Sequence, residues 1–173
     1  MADLLCIGTT GMLAPCMRAL IARGDRVACI ARTPASLEAL GASIPPARRN
    51  QLSTHPCDYR DIGSLERTLS SIGITPEAAI CWVHTPPEPV IDLVKAHFPM
   101  IDLLRVVASS AHHPLTGSAA SDRTVRLGFV IEGSSSRWLT HKEISEGVYK
   151  AFISGAPRWS IGVSEPAELQ PDA

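Results

Sequence analysis

Residues 4–14 are Leu4-Leu5-Cys6-Ile7-Gly8-Thr9-Thr10-Gly11-Met12-Leu13-Ala14. An apolar run, two glycines and the start of a helical pattern predict a strand, a tight turn and a helix. Gly8 can take a turn conformation that a Cβ would obstruct, and Gly11 allows the backbone to approach a pyrophosphate closely. Free N–H groups at the start of the helix would face that anion. The spacing Gly8-x-x-Gly11-x-x-Ala14 is shorter than G-x-G-x-x-G and is weak by itself.

The next residues supply the context that strengthens this motif. A helical pattern ends at Arg23-Gly24-Asp25, and a second apolar run follows at 26–31. Strand, glycine turn, helix and strand form a βαβ unit, the first unit of a dinucleotide-binding fold.

A basic residue follows the second predicted strand. NAD-binding proteins usually keep an acidic residue there for the ribose 2′-hydroxyl, whereas this chain has Arg32-Thr33, with Ser36 further on. Arginine suits a 2′-phosphate, so the predicted cofactor is NADP(H). The residues predicted to bind it are Gly8, Thr9, Thr10, Gly11, Met12, Leu13, Arg32, Thr33 and Ser36. The alternatives are a glycine turn without a nucleotide, or a site for another nucleotide or an adenosyl cofactor.

Several segments resemble the short-chain dehydrogenase/reductase superfamily. They are residues 5–32, Asp58-Tyr59-x-Asp61 and Ser64-Leu65, and the turn is similar to that of atypical members with Gly-x-x-Gly-x-x-Ala. Residues 136–145 resemble a subset of small bacterial members. The resemblance implies an α/β doubly wound parallel sheet, a Rossmann fold with three α/β/α layers. It also implies that Asp58 and Tyr59 lie against the adenine, the alternative being a plain polar turn.

The proton-donating motif of that family is missing. Members usually carry Tyr-x-x-x-Lys on the helix after the fifth strand, but the two tyrosines here, Tyr59 and Tyr149, do not fit it. Few residues separate Pro114 from the next predicted strand, so we expect that helix to be deleted.

Other polar residues at strand ends are the remaining catalytic candidates. His84 and Thr85 follow the fourth predicted strand and should lie near the nicotinamide ribose, because ligands bind outside the carboxyl ends of the strands. Ser109 or Ser110 stands where the resemblance places the family's catalytic serine, and histidine, present at positions 84, 112 and 113, is a residue type whose unperturbed pKa suits an acid or base near neutral pH. We therefore predict His84, Ser110 and His113 as catalytic residues; the alternative is that they are hydrogen-bonding turn residues. Because His112 and His113 are adjacent and no ligand spacing accompanies them, we predict no metal.

The remaining elements follow from apolar periodicity. Strands are expected near 50–57, 78–83, 100–108, 124–131 and 158–163, and helices over 36–40, 64–71, 90–97 and from the capping box Thr140-x-x-Glu143 to about Ser154. A loop at 134–138 either closes over the substrate or uses Trp138 as a hydrophobic staple.

Composition limits the classes of function. The chain has 173 residues, 45% of them hydrophobic, and a net charge of −1, which predict one globular domain (1–165, with a flexible tail at 166–173) and no nucleic-acid or membrane partner. Five cysteines without a C-x-x-C pair predict reduced core residues in a cytoplasmic protein.

These features predict an NADP(H)-dependent oxidoreductase that acts on a small C=O or C=N substrate. The alternative is a non-catalytic NADP(H) sensor or partner-binding module. A deleted helix would leave an apolar face uncovered, so we also expect a homodimer or tetramer.

Overall fold

The computed structural model describes residues 1–84, 86–108, 122–133 and 135–163. Parallel strands form one central sheet: β1 (Asp3–Ile7), β2 (Arg26–Ala31), β3 (Leu52–Pro56), β4 (Ala78–Cys81), β5 (Asp102–Ala108), β6 (Arg123–Leu127) and β9 (Arg158–Ile161). An antiparallel hairpin contains β7 (Phe129–Glu132) and β8 (Ser135–Trp138). The helices are α1 (Ala14–Arg23), α2 (Pro34–Ser43), α3 (Ile62–Ser71), α4 (Glu88–His97) and α5 (His141–Ser154), with a short 3₁₀ helix at Pro46–Gln51.

The seven-stranded sheet has the order β3-β2-β1-β4-β5-β6-β9. One face packs against α1, α2 and α5, and the other packs against α3 and α4. Strand β1 is buried on both faces, as its unbroken apolar run predicts for a parallel strand. The predicted doubly wound, three-layer Rossmann fold is confirmed. The strand order reverses between β1 and β4, which is where such folds bind ligands.

Helix α2 is longer than predicted. Gly41 was expected to close it, but the helix continues to Ser43. It ends where Ile44 adopts an extended conformation, because a residue before proline is disfavoured in the helical region. Pro45 then precedes the 3₁₀ helix at Pro46–Gln51, where a loop was expected.

The single strand predicted over 124–131 is two strands. Phe129 leaves the parallel sheet because it forms an antiparallel bridge with Val163, in which each amide donates to the other's carbonyl over 2.8 Å. The chain then turns at Gly133, whose φ is +63°, and returns as β8. The predicted loop at 134–138 was therefore wrong from Ser135 onwards, since Ser135–Trp138 is a strand.

The sheet face on the side of α3 and α4 is polar where it crosses β5, β6 and β9. Among the described residues, that part of the face carries arginine, threonine and serine side chains as well as Leu103 and Val107. The uncovered apolar face stays a prediction. The segment where a helix was expected to be deleted, 109–121, lies outside the described residues, and the oligomeric state stays a prediction.

Candidate functional site

The glycine turn lies at the carboxyl edge of the sheet, directly after β1. Gly8 has a φ of +73°, and its amide donates to the carbonyl oxygen of Ile30 over 2.9 Å. A Cβ at Gly8 would overlap the carbonyl oxygen of Trp82 and lie 3.4 Å from the Tyr59 hydroxyl. The turn is thus held between β2 and the end of β4, and glycine is required there both by conformation and by space.

The part of the turn after Gly8 is open. Gly11 is exposed, and no heavy atom lies within 4 Å of the position that its Cβ would take. The amides of residues 10–13 have no acceptor within the described chain, as expected before a helix N-terminus. These unpaired donors directly precede α1, and such donors at a helix N-terminus can bind an anion such as pyrophosphate.

Ser145 on α5 forms hydrogen bonds to this turn and to the start of α1, and no local sequence pattern indicates this role. Its hydroxyl donates to the carbonyl oxygen of Met12 over 2.8 Å and accepts from the amide of Cys16 over 3.1 Å. Helix α1 has Leu13 as its N-cap, with no side-chain capping bond of its own. Ser145, only 2% exposed, therefore acts as a long-range cap for the helix that follows the glycine turn.

We expect Ser145→Ala to lower the free energy of unfolding by about 1–3 kcal/mol, because it leaves a buried carbonyl and a buried amide unpaired. It should also weaken binding of dinucleotides, since the turn loses its support. Thermal melting and NADPH titration would measure both effects. Ser154→Ala is a matched control, because Ser154 also donates to a carbonyl (Ala151) and accepts from an amide (Ala156), but at an exposed position. Equal effects of the two substitutions would contradict the role of Ser145.

Arg32 lies at the rim of the same edge, one residue after β2. Its guanidinium carbon is 5.6 Å from the ring centroid of the buried Tyr59, a cation–π contact. Arg32 is exposed and has no ion pair within the described chain. Thr33 is the N-cap residue of α2 without a side-chain capping bond, and the half-buried Ser36 lies in the first turn of that helix. The start of α2 therefore brings together the guanidinium of Arg32, the hydroxyls of Thr33 and Ser36, and a helix N-terminus.

Asp58 forms its ion pair with Arg60, and Arg32 interacts with its carboxylate only at longer range. The Arg60 guanidinium donates to both carboxylate oxygens, with distances of 2.9 Å from Nε to Oδ1 and 2.6 Å from Nη2 to Oδ2. This pairing, with the Arg60 amide, holds the pKa of Asp58 at about 2. The predicted residues Asp58 and Tyr59 thus lie beside Arg32, Asp58 exposed at the rim and Tyr59 buried beneath the turn.

His84 is the predicted catalytic residue that the structure describes. It is exposed just beyond β4, and its ring packs edge-on against Trp82 with centroids 4.4 Å apart. Its ring nitrogens have no hydrogen-bond partner among the described residues, so they are available to a ligand. Thr85, Ser110 and His113 lie outside the described residues, as does the neighbouring His112.

The cysteines near the turn belong to the core. Cys29 forms a 3.5 Å hydrogen bond with the hydroxyl of the buried Thr9. Burial raises the thiol pKa of Cys29 to about 11 and that of Cys81 to about 12, which disfavours the nucleophilic thiolate. The five cysteines are unpaired. Within the described ranges, no cluster of three or more histidine, cysteine or acidic side chains could hold a metal ion.

Ion pairs of Arg137 connect the β7–β8 hairpin to α5. Arg137 donates to Glu132 over 2.7 Å and to Glu143 over 2.9 Å, and Glu143 also completes a capping box with Thr140. The predicted box is therefore confirmed. Leu139, buried at the N′ position, takes the place expected of a hydrophobic staple, whereas Trp138 is 63% exposed and packs on Phe129.

Low pH should weaken the ion pair between Arg137 of the hairpin and Glu143 of α5. The Arg137 guanidinium, with the Thr140 amide and hydroxyl, lowers the pKa of Glu143 to about 2 from its usual value of about 4.3. Because the pKa is lower in the folded state, the stabilisation is complete above the unfolded pKa and is lost as pH falls towards about 2. Melting temperatures of the wild type and Glu143→Gln should therefore converge over that range. Glu146→Gln, on the same helix but outside the network, should show no such convergence; a gap that persists at low pH would refute this account.

The strand order, the three layers and the glycine turn define a Rossmann-type domain. Comparison with known proteins shows which solved structures share this fold. No protein-family model matches the sequence, and no curated protein matches it. The structure is similar to an alcohol dehydrogenase of Comamonas testosteroni specific for bulky-bulky ketones (TM-score 0.69, 11% identity, 97% of this chain and 89% of that chain covered). It is also similar to a short-chain dehydrogenase/reductase of Vibrio parahaemolyticus (0.68, 10%, 94% and 99%).

A third similar structure contains a nucleotide. It is an alcohol dehydrogenase from the archaeon Thermococcus sibiricus in complex with 5-hydroxy-NADP (TM-score 0.65, 15% identity, 100% of this chain and 99% of that chain covered). At these identities the likeness establishes the fold alone, a three-layer α/β/α Rossmann fold. In the described ranges, no helix has the length and apolar character needed to cross a membrane.

Proposed function

We propose that this protein is an NADP(H)-dependent oxidoreductase of the short-chain dehydrogenase/reductase type that acts on a small C=O or C=N substrate. The observation that carries the proposal is Arg32, an exposed cation without an ion-pair partner in the described chain, held over Tyr59 beside an open glycine turn. The likeness to dehydrogenases, one of them in complex with 5-hydroxy-NADP, supports the same reading.

The cofactor would lie across the carboxyl edge of the sheet. The amides of residues 10–13, which have no acceptor within the described chain, would bind the pyrophosphate, and Gly8 would hold the turn that presents them. Arg32, Thr33 and Ser36 would bind the 2′-phosphate, because a guanidinium and hydroxyls donate charge-assisted hydrogen bonds to phosphate oxygens. The adenine would lie near Asp58, above the buried Tyr59.

Chemistry would take place at the ends of β4 and β5. NADPH, when bound, supplies a hydride. His84 would orient the acceptor and hold or donate a proton through a ring nitrogen that has no partner in the described chain. Ser110 and His113, predicted from the sequence alone, remain part of the proposal, with Thr85 beside the nicotinamide ribose. A cytoplasmic location and a homodimer or tetramer belong to the same proposal.

A non-catalytic NADP(H) sensor is the second candidate. The absence of Tyr-x-x-x-Lys from the sequence favours it, because that motif supplies the proton in the family that the chain resembles.

Turnover separates the two functions. NADPH oxidation would be measured with a panel of small aldehydes, ketones and imines for the wild type, His84→Gln and a control, His97→Gln, which changes an exposed histidine at the end of α4. The enzyme proposal expects His84→Gln to lower kcat about 100-fold, the scale of lost acid–base catalysis, with NADPH affinity unchanged. NADPH binding without turnover of any acceptor would favour the sensor instead.

A further inference from the structure

A row of polar residues crosses the sheet on the side of α3 and α4. Arg105 on β5 is in register with Thr124 on β6, which is in register with Arg158 on β9. Neighbouring strands lie about 4.8 Å apart, so these side chains are immediate neighbours. Arg126 lies two residues beyond Thr124 on the same strand, about 6.6 Å further along.

Strand alternation puts these side chains on one face. Val125 and Leu127 of β6 pack in the core shared with α1 and α5, so Thr124 and Arg126 lie on the opposite face. By the same alternation, Trp159 packs against that core and Arg158 lies opposite to it. Three arginines therefore surround one threonine; we name this group the arginine face, defined by Arg105, Thr124, Arg126 and Arg158.

Thr124 carries an unmatched hydrogen-bonding group. It is 6% exposed, and its hydroxyl oxygen is buried without a hydrogen-bond partner in the described chain. Buried hydroxyls are almost always hydrogen-bonded, so this one indicates a partner that the described residues do not supply. A hydroxyl amid guanidinium groups is suited to donate to an oxyanion.

The charges facing this group leave an excess of cations. Arg105 is buried and contacts Glu88 of α4 at 3.3 Å, and Lys95 of α4 pairs with Asp122 at the amino end of β6. Within the described ranges, Arg126 and Arg158 have no acidic partner and no side-chain hydrogen bond. Among the described residues, the charges of Arg126 and Arg158 are therefore uncompensated, while the Asp122 carboxylate keeps one buried oxygen, Oδ2, without a hydrogen-bond partner.

We propose that the arginine face binds the carboxylate or phosphate group of a small anionic molecule. Guanidinium groups donate paired hydrogen bonds to either group, and the Thr124 hydroxyl would complete the set. Arg126 is in register with Val107, one residue before the end of β5, so the site reaches the edge where the cofactor is proposed to lie. On the proposed function, from which this step follows, the molecule is the substrate, an anionic carbonyl or imine compound.

Direct binding of two probes tests the site without depending on the cofactor. Inorganic phosphate and malonate would be titrated calorimetrically at low ionic strength into the wild type, Arg126→Gln, Arg158→Gln, Arg32→Gln and a surface control, Arg67→Gln. We expect Arg126→Gln and Arg158→Gln each to weaken the binding of the better probe about tenfold or more, the scale of a lost charge-assisted contact, with no effect of Arg67→Gln. Arg32→Gln should remove only phosphate that binds at the separate cofactor site. The better probe identifies whether phosphate or carboxylate is preferred.

Thr124→Val separates a binding role from a structural one. It removes the unpaired hydroxyl at nearly constant shape, so it should weaken probe binding while leaving the melting temperature unchanged or higher. The proposal would be overturned if neither probe bound, or if Arg32→Gln abolished probe binding while Arg126→Gln and Arg158→Gln left it unchanged. If probe binding follows the arginine variants but the protein fails to bind NADPH, then the oxidoreductase function fails while the anion site stands.

Discussion

Gly8→Ala is expected to abolish NADPH binding and to lower the free energy of unfolding by about 2–4 kcal/mol. Two costs combine at this position. The φ of +73° is unfavourable for a residue with a Cβ, and that Cβ would overlap the Trp82 carbonyl oxygen. Relief of the overlap would require the turn to move away from β4, which would displace the amides that are proposed to bind the pyrophosphate.

Gly73→Ala isolates the first of these costs. Gly73 has nearly the same φ, +71°, but no atom lies within 4 Å of the position of its Cβ. This control should cost only about 1 kcal/mol and leave NADPH binding intact. Chemical denaturation of both variants measures the difference. The proposed steric constraint at Gly8 would be contradicted if Gly8→Ala were no more destabilising than Gly73→Ala and still bound NADPH.

Arg32→Gln is expected to weaken NADPH binding about 10- to 100-fold and to leave NADH binding nearly unchanged. On the proposed function, the guanidinium makes charge-assisted hydrogen bonds to a 2′-phosphate, each of which contributes about 1.5–3 kcal/mol, and NADH lacks that group. Asp58 forms its ion pair with Arg60, so replacing Arg32 with glutamine leaves this neighbouring carboxylate paired. The effect should therefore appear in cofactor preference rather than in stability.

Arg18→Gln serves as the control, since it removes the same charge from an exposed position on α1. Fluorescence titration of each variant with NADPH and NADH gives the four dissociation constants needed. An equal loss of affinity for both nucleotides in Arg32→Gln would indicate a distorted turn, and no loss for either would remove Arg32 from the cofactor site.

The features predicted well from the sequence are those encoded locally. β1, α1 and β2 follow from an apolar run, a glycine turn and a second apolar run, and Arg32 follows from its place one residue after β2. The capping box at Thr140 needs only four residues. The capping role of Ser145 could not be predicted, because its partners Met12 and Cys16 are 133 and 129 residues away in the sequence and no local pattern pairs them.

The polar face of β6 has a local signal in the sequence. Residues 124–127 alternate polar and apolar side chains, which indicates a strand with one polar face, whereas a parallel strand covered on both faces reads as an apolar run. The boundary between β6 and the hairpin is encoded differently: strand-forming residues lie on both sides of Gly128, and the long-range bridge between Phe129 and Val163 separates the two strands.

The central claim is that Gly8, Gly11 and Arg32 form an NADP(H) site, and the most direct test is titration of the wild-type protein with NADPH and NADH under identical buffer and salt. The account predicts saturable binding of both, with NADPH bound at least about tenfold more tightly because only NADPH offers a 2′-phosphate to Arg32. Equal affinity for the two nucleotides, or binding of neither, would contradict it.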